Sequence, residues 1–203
     1  MKAFFKSLAR GVFSILVLPF VVTYSMRSSL AGPDRALESS MELLSLVPGL
    51  VGQYVRRAFL GYVLAACDAT VTIGFGTLLS SAGARLDEHV YIGPRCHLGL
   101  VHLERDVLVG AGVHIPSGGH IHTATDPDRP MREHELTRSL VTVGEGSWIG
   151  SGAVVMADVG KRTIVGAGSV VTRPLPDDVV AAGAPAKVVR DRKSVPDSAG
   201  SSE

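Results

Sequence analysis

At 203 residues, 46% hydrophobic and 19% charged, the chain is long enough for one sizeable domain plus an appendage. A formal net charge of +1 argues against a general affinity for nucleic acid or for strongly acidic substrates. Two cysteines, Cys67 and Cys96, form neither a CxxC pair nor a disulfide framework, which fits a reduced compartment.

The charge is unevenly placed. Residues 1–66 carry seven Lys/Arg against three Asp/Glu, and the remainder 13 against 16. The basic part is also apolar. Lys2, Lys6 and Arg10 precede "VFSILVLPFVVTY", a basic segment followed by an apolar run in the manner of a signal peptide. No clean small-residue cleavage site follows, and the run is 13 residues long and holds Pro19, against about 20 needed to span a bilayer. Pro33 and Pro48-Gly49 mark breaks between short helices. In "LVGQYVRRAFLGYV", Leu50/Val51, Tyr54/Val55, Ala58/Phe59 and Tyr62/Val63 share a helical face, with Arg56 and Arg57 opposite. The expectation is a helical arm over 1–66 lying on a membrane surface, its Lys2, Lys6, Arg10, Arg56 and Arg57 at the headgroups and Phe13, Ile15, Leu16, Leu18 and Phe20 in the acyl boundary. The alternative is packing on the chain's own core or on a neighbouring subunit.

From about Thr70 a six-residue step takes over. Ile73 leads to Leu79, Leu86 to Ile92 and Leu98, Leu103 to Val109 and Ile115, Val143 to Ile149 and Val155, and Val165 to Val171. Glycine often follows the apolar residue, and a small or β-branched residue sits four places on, as at Thr77, Cys96, Ser147 and Ser169. Six fits neither the 3.6 of a helix nor the 2 of a long strand. It is one short strand plus one tight turn, and three such units close a triangular coil whose stacking buries the apolar positions in a column. Steps 79 to 86, 98 to 103 and 155 to 165 slip, implying bulges or clipped corners. The expected architecture is a coil domain over 67–192 and a disordered tail over 193–203.

Between Ile115 and Val143 the rhythm stops and a polar loop, 116–140, takes over. His114, His120, His122 and His134 lie in or beside it. A loop leaving a rigid coil is where this architecture can place reactive groups. Imidazole titrates near neutral pH and suits a general base. Asp126, Asp128, Glu133 and Glu135 are candidates to orient such a ring. Histidines 120, 122 and 134 with Asp126, or His97 with His102 on the coil, also invite a zinc reading.

"VTVGEGSWIGSGAVV" and "IVGAGSVVTRPLPDDVVAAGAPAKVVR" resemble the tryptophan-containing coil and the closing signature of hexapeptide-repeat acyltransferases. The resemblance covers about residues 70–192 and is nearest in pattern to galactoside, maltose and polysaccharide-biosynthesis O-acetyltransferases. "GFGTLLS" and "VYIGPRCHLG" are similar to the exopolysaccharide subgroup. It implies a left-handed parallel β-helix, acetyl-coenzyme A as co-substrate and a sugar hydroxyl as acceptor. It places the catalytic histidine at His120, with His122 as competitor. It places Ser151, Ala167 and Thr172 along the pantetheine groove, Arg190 at the coenzyme phosphates and Trp148 at the acceptor; Lys187 is a candidate neighbour of Arg190, and His134 is either a substrate-binding residue or a solvated one. It also implies a homotrimer with sites between subunits. Gamma-class carbonic anhydrases share the coil, but no histidine precedes His89 to supply their upstream zinc ligand, so no metal is expected. Acetyl-coenzyme A and lipid-linked sugars meet at the cytoplasmic membrane face, where the chain is expected to reside. The competing reading is a non-catalytic trimeric β-helix that serves as scaffold or binding module.

Overall fold

The computed structural model describes residues 2–118, 130 and 137–192. Four helices come first: α1 (Lys2–Leu16), α2 (Leu18–Ala31), α3 (Pro33–Ser45) and α4 (Gly49–Val63). Prolines at the starts of α2 and α3 mark their first turns, where a missing N–H costs nothing. The rest is a parallel β-helix of three sheets. Sheet A stacks β1 (Ala66–Cys67), β4 (Arg85–Leu86), β7 (Val101–Leu103) and β10 (Val141–Val143). Sheet B stacks β2 (Thr72–Ile73), β5 (Tyr91–Ile92), β8 (Leu108–Val109), β11 (Trp148–Ile149), β13 (Ile164–Val165) and β15 (Val179–Gly183). Sheet C stacks β3 (Leu78–Leu79), β6 (His97–Leu98), β9 (His114–Ile115), β12 (Val154–Val155) and β14 (Val170–Val171). The chain visits A, B and C in turn, so each circuit is one coil.

The second residue of each two-residue strand points inward. All thirteen positions of the six-residue pattern, from Ile73 to Val171, are at most 1% exposed. Two edges of the prism turn by one rule. From the second coil on, the A-to-B edge has a left-handed residue at His89, Asp106, Gly146, Arg162 and Asp178. The B-to-C edge has one at Gly76, Arg95, Gly112, Gly152 and Gly168. Every slip in the six-residue step falls on the third edge, from sheet C back to sheet A. The pattern's gap between Val155 and Val165 is filled by Val159, which bridges Val143 and Leu175 on sheet A and is 2% exposed. The corner is clipped to four residues there, and the polar loop leaves from that same edge.

A β-helix has two open ends, and each is capped. At the far end β16 (Ala186–Asp191) pairs antiparallel with β15. At the near end α3 and α4 cover the first coil, with Leu37, Met41, Leu44, Phe59 and Leu60 buried in one cluster with Ile73 and Leu79. Within the stack, N–H groups of one coil donate to carbonyls of the next, as Gly74 does to Ile92 at 2.8 Å and Gly93 to Val109 at 2.8 Å. The carbonyl of Ile73 therefore has no coil above it. Arg56 of α4 fills the vacancy: its Nε and Nη2 donate to Ile73 O at 3.2 and 3.0 Å. Its Nη1 donates to the carbonyls of Val47 at 2.7 Å, Leu44 at 3.3 Å and Ser45 at 3.4 Å, satisfying the C-terminal end of α3 as well.

This corrects one expectation. Arg56 is 0% and Arg57 8% exposed, so neither side chain lies out on the surface as expected, while Leu50, Val51 and Tyr62 of α4 are exposed. The polar side of the helical wheel faces the open end of a β-ladder, which needs donors. Further exposed apolar side chains lie on α1 and α2, among them Ile15, Leu16, Met26 and Leu30.

Candidate active site

The loop is rooted at the C-to-A edge of the third coil. Its feet are held together: Ser139 N–H donates to the Ser117 carbonyl at 3.0 Å, Leu100 N–H to Ser117 Oγ at 2.9 Å, and Val141 N–H to the Leu100 carbonyl at 3.1 Å. Gly118 turns the outgoing chain at φ +86°, a conformation that favours glycine. Arg138 at the returning foot pairs with the Asp34 carboxylate of α3, whose other oxygen accepts the Ala82 N–H at 2.9 Å. The arm is thereby tied both to the first coil and to the root of the loop. His120, His122 and His134, and the carboxylates Asp126, Asp128, Glu133 and Glu135, lie outside the described residues.

Beside this root the outer face of sheet C carries a column of Leu78, His97, His114, Val154 and Val170 in register. His114 faces outward, as its place in the repeat requires. Its Nε2 lies 3.3 Å from His97 Nδ1, with ring centroids 4.9 Å apart. Desolvation first, and then the neighbouring His114, hold His97 below the ordinary histidine range, with Glu38 opposing.

Ser151 and Ala167 occupy the B-to-C turns of the fourth and fifth coils. Gly168 N–H donates to the Ser151 carbonyl at 2.9 Å, and Ala111 N–H to Ser151 Oγ at 3.2 Å. Thr172 follows β14 at the C-to-A edge. These three exposed residues flank the outer face of sheet C, on walls kept low by Gly152 and Gly168. Gly150, at the foot of this edge, leaves no room for a side chain: a Cβ there would lie 2.5 Å from Ala167 N. Trp148, 50% exposed, stands on the outer face of sheet B three residues before Ser151. Lys187 and Arg190 are exposed on β16, in register with Ala182 and Val180. Those of the proposed residues that are described therefore face solvent, but one chain spreads them over two edges and sheet B, with Trp148 on its outer face.

Sheet A carries a feature that residue spacing did not reveal. His102 Nε2 lies 3.0 Å from Asp87 Oδ2 in an open cleft of about 640 Å³, shared with Glu104, Arg105, Glu145 and Lys161. Aligning successive coils, which sets Arg85 beside His102, would have found it. His97 and His102 thus stand on different sheets. Among the described residues, no three His, Cys, Asp or Glu side chains come together as a metal site. Burial pushes the Cys67 thiol up to about 12, against Arg57, and pushes Cys96 up as well, so neither is a ready nucleophile.

The hexapeptide repeat of succinyl-transferase matches residues 140–173. A galactoside O-acetyltransferase of Lactococcus lactis is 37% identical over 91 residues, 43% of this chain and 44% of that one. An Escherichia coli protein named for O-acetyl transfer in lipopolysaccharide biosynthesis is 29% identical over 124 residues, 58% of this chain and 62% of that one. The chain spans about half the length of the curated relatives it matches. A solved hexapeptide-repeat acetyltransferase of Vibrio cholerae, complexed with acetyl-coenzyme A, aligns over 79% of this chain and 89% of that one with a TM-score of 0.66. Its sequence is 19% identical, so this likeness speaks for the fold. The fold is that of the hexapeptide-repeat acetyltransferases, and the curated sequence relatives carry acetyltransferase names, some of them O-acetyltransferases and others N-acetyltransferases.

Proposed function

We propose that the chain is an acetyl-coenzyme A-dependent O-acetyltransferase acting on a sugar hydroxyl of a polysaccharide precursor. One observation carries the reading: a histidine-bearing loop leaves and rejoins the coil at a single hydrogen-bonded root, beside the small-walled edges of coils four and five. The sequence relatives named for galactoside and lipopolysaccharide O-acetyl transfer support it.

In this account His120 takes the proton of the acceptor hydroxyl as that oxygen attacks the thioester carbonyl. His122 is the alternative base. A backbone N–H beside the pantetheine groove holds the oxyanion. Collapse breaks the C–S bond, the imidazolium returns its proton to the leaving sulfur, and the products are the acetyl ester and free coenzyme A. Ser151, Ala167 and Thr172 border the pantetheine arm. Lys187 and Arg190 meet the coenzyme phosphates. Trp148 and His134 contact the acceptor.

The spread of these residues over a single chain supports a site completed by neighbouring copies, in a homotrimer. So does an apolar ladder on the outer face of sheet B, where Tyr91, Leu108 and Trp148 stand in register at 43%, 44% and 50% exposure. The exposed apolar residues of α1 and α2 support residence at the cytoplasmic membrane surface. Among the described residues no single helix is long and apolar enough to cross a membrane, while Arg10–Leu16 with Leu18–Ala31 forms a pair, bent by 47°, that is. A screen of sugar acceptors with labelled acetyl-coenzyme A tests the proposal. Label should pass to a sugar, and transfer to none would favour the non-catalytic scaffold.

A further inference from the structure

A pocket of about 230 Å³ opens where α1 and α4 meet the first coil. Its lining includes Arg10 of α1, Gln53, Tyr54 and Arg57 of α4, and Thr70 and Thr72 of the coil. Phe13 stacks on Tyr54 with centroids 5.3 Å apart and planes 12° off parallel, which fixes the two helices against each other.

The pocket is basic and unbalanced. Arg57 is 8% exposed, and its Nη2 is buried with no hydrogen-bond partner. Arg56, one residue earlier, is as deeply buried, yet each of its guanidinium nitrogens meets a backbone carbonyl. The fold thus satisfies one buried guanidinium here and leaves the next one open. Arg10 adds a second positive charge rather than a counter-charge. The acid on this side is Asp68, whose Oδ1 accepts the N–H and hydroxyl of Thr70 at 2.7 and 2.5 Å; its single charge acts on both arginines but forms an ion pair with neither. A buried cation without a partner is costly unless something completes it.

We propose that this pocket binds a phosphate ester, held between the guanidiniums of Arg57 and Arg10 with Gln53 and Tyr54 as neutral neighbours. Two guanidinium forks suit a group with three or four acceptor oxygens better than a carboxylate, which one fork saturates. At 230 Å³ the pocket is below the roughly 300–1,000 Å³ of drug-sized sites, so it admits a phosphate and a small substituent. Leu50, 71% exposed, also lines it, and α1 exposes Leu8, Val12, Ile15 and Leu16 beyond Arg10. The phosphate can therefore be carried on an apolar chain or be free in solution. The inference concerns binding and does not rest on acetyl transfer.

The test uses the full-length protein and two probes. Inorganic phosphate is titrated while the melting temperature is followed. Vesicles of phosphatidic acid, a phosphomonoester, in phosphatidylcholine are compared with phosphatidylcholine alone by flotation. A melting shift with phosphate, or at least tenfold stronger flotation with phosphatidic acid, is expected. A response to vesicles alone identifies a lipid headgroup, and a response to phosphate alone a soluble ester. Arg57→Met and Arg10→Gln should each remove the response, and Arg85→Gln on sheet A should not. Should Arg57→Met fail to fold, Arg10→Gln carries the test. Response to neither probe, binding that survives Arg10→Gln, or equal loss in Arg85→Gln overturns the proposal.

Discussion

Ser139 donates its N–H to the carbonyl of Ser117 at 3.0 Å, so the chain that leaves the third coil returns to within one hydrogen bond of its exit. The coil continues from Val141 as though nothing had been inserted, because Val141 pairs with Val101 in the ordinary register of sheet A. A loop anchored in this way adds chemistry without disturbing the column beneath it.

The near cap depends on Arg56. Arg56→Ala would leave the carbonyls of Ile73 and Val47 without their donor and open a cavity beneath α4. A loss of about 2–5 kcal/mol in unfolding free energy is expected by denaturant titration. Arg56→Lys should recover only part of it, because one ammonium cannot reproduce the fork. An Arg56→Ala protein of unchanged stability would show that the cap is redundant.

Gly150→Ala would place a methyl group 2.5 Å from Ala167 N and 2.8 Å from Ala167 Cα. Overpacking of this kind costs about 1–3 kcal/mol. The strain falls on the edge carrying Ser151 and Ala167. The KM for acetyl-coenzyme A should therefore rise more than kcat falls, as steady-state kinetics would show.

His97 is expected to make the fold sensitive to mild acid. Its folded-state pKa lies below the unfolded value of about 6.5. As pH falls, the unfolded chain takes the proton first. Stability is therefore intact above about pH 6.5 and declines as pH drops through that value toward the folded one. Denaturation midpoints at pH 7.5 and 5.5 should differ less in His97→Gln than in the parent chain. An equal difference in both would assign the acid sensitivity to other groups.

Ile15 and Leu30 are 69% and 88% exposed on α1 and α2. Ile15→Glu with Leu30→Glu should leave folding intact and shift the protein from the membrane pellet to the supernatant. A parent chain that fractionates as soluble without detergent would sink the membrane reading.

The coil was legible in the sequence because an inward position in a stacked strand tolerates little besides Val, Ile or Leu. Ile73, Leu103 and Val171 are buried for the same reason, far apart as they are. Val159 was not legible, since a four-residue corner breaks the period that would have flagged it. Arg56 and Arg57 misled because a helical wheel shows which side is polar, not what that side faces. The His102–Asp87 pair was hidden because its partners are fifteen residues apart in sequence and one coil apart in space. At the site, the root of the loop and the small-walled edges follow from the repeat. The choice between His120 and His122 rests on resemblance, because the six-residue step of the sequence stops at Ile115 and resumes only at Val143.

The most direct measurement is acceptor-dependent thiol release from acetyl-coenzyme A, run with the parent chain, His120→Ala and His122→Ala. The account expects one thiol per acetylated sugar, a loss of about 10²–10⁴ in turnover for His120→Ala, and coenzyme binding largely kept. The same loss in His122→Ala, with His120→Ala unaffected, would move the base by two residues. No acceptor-dependent thiol release from the parent chain with any sugar would contradict the account and leave a coil without its chemistry.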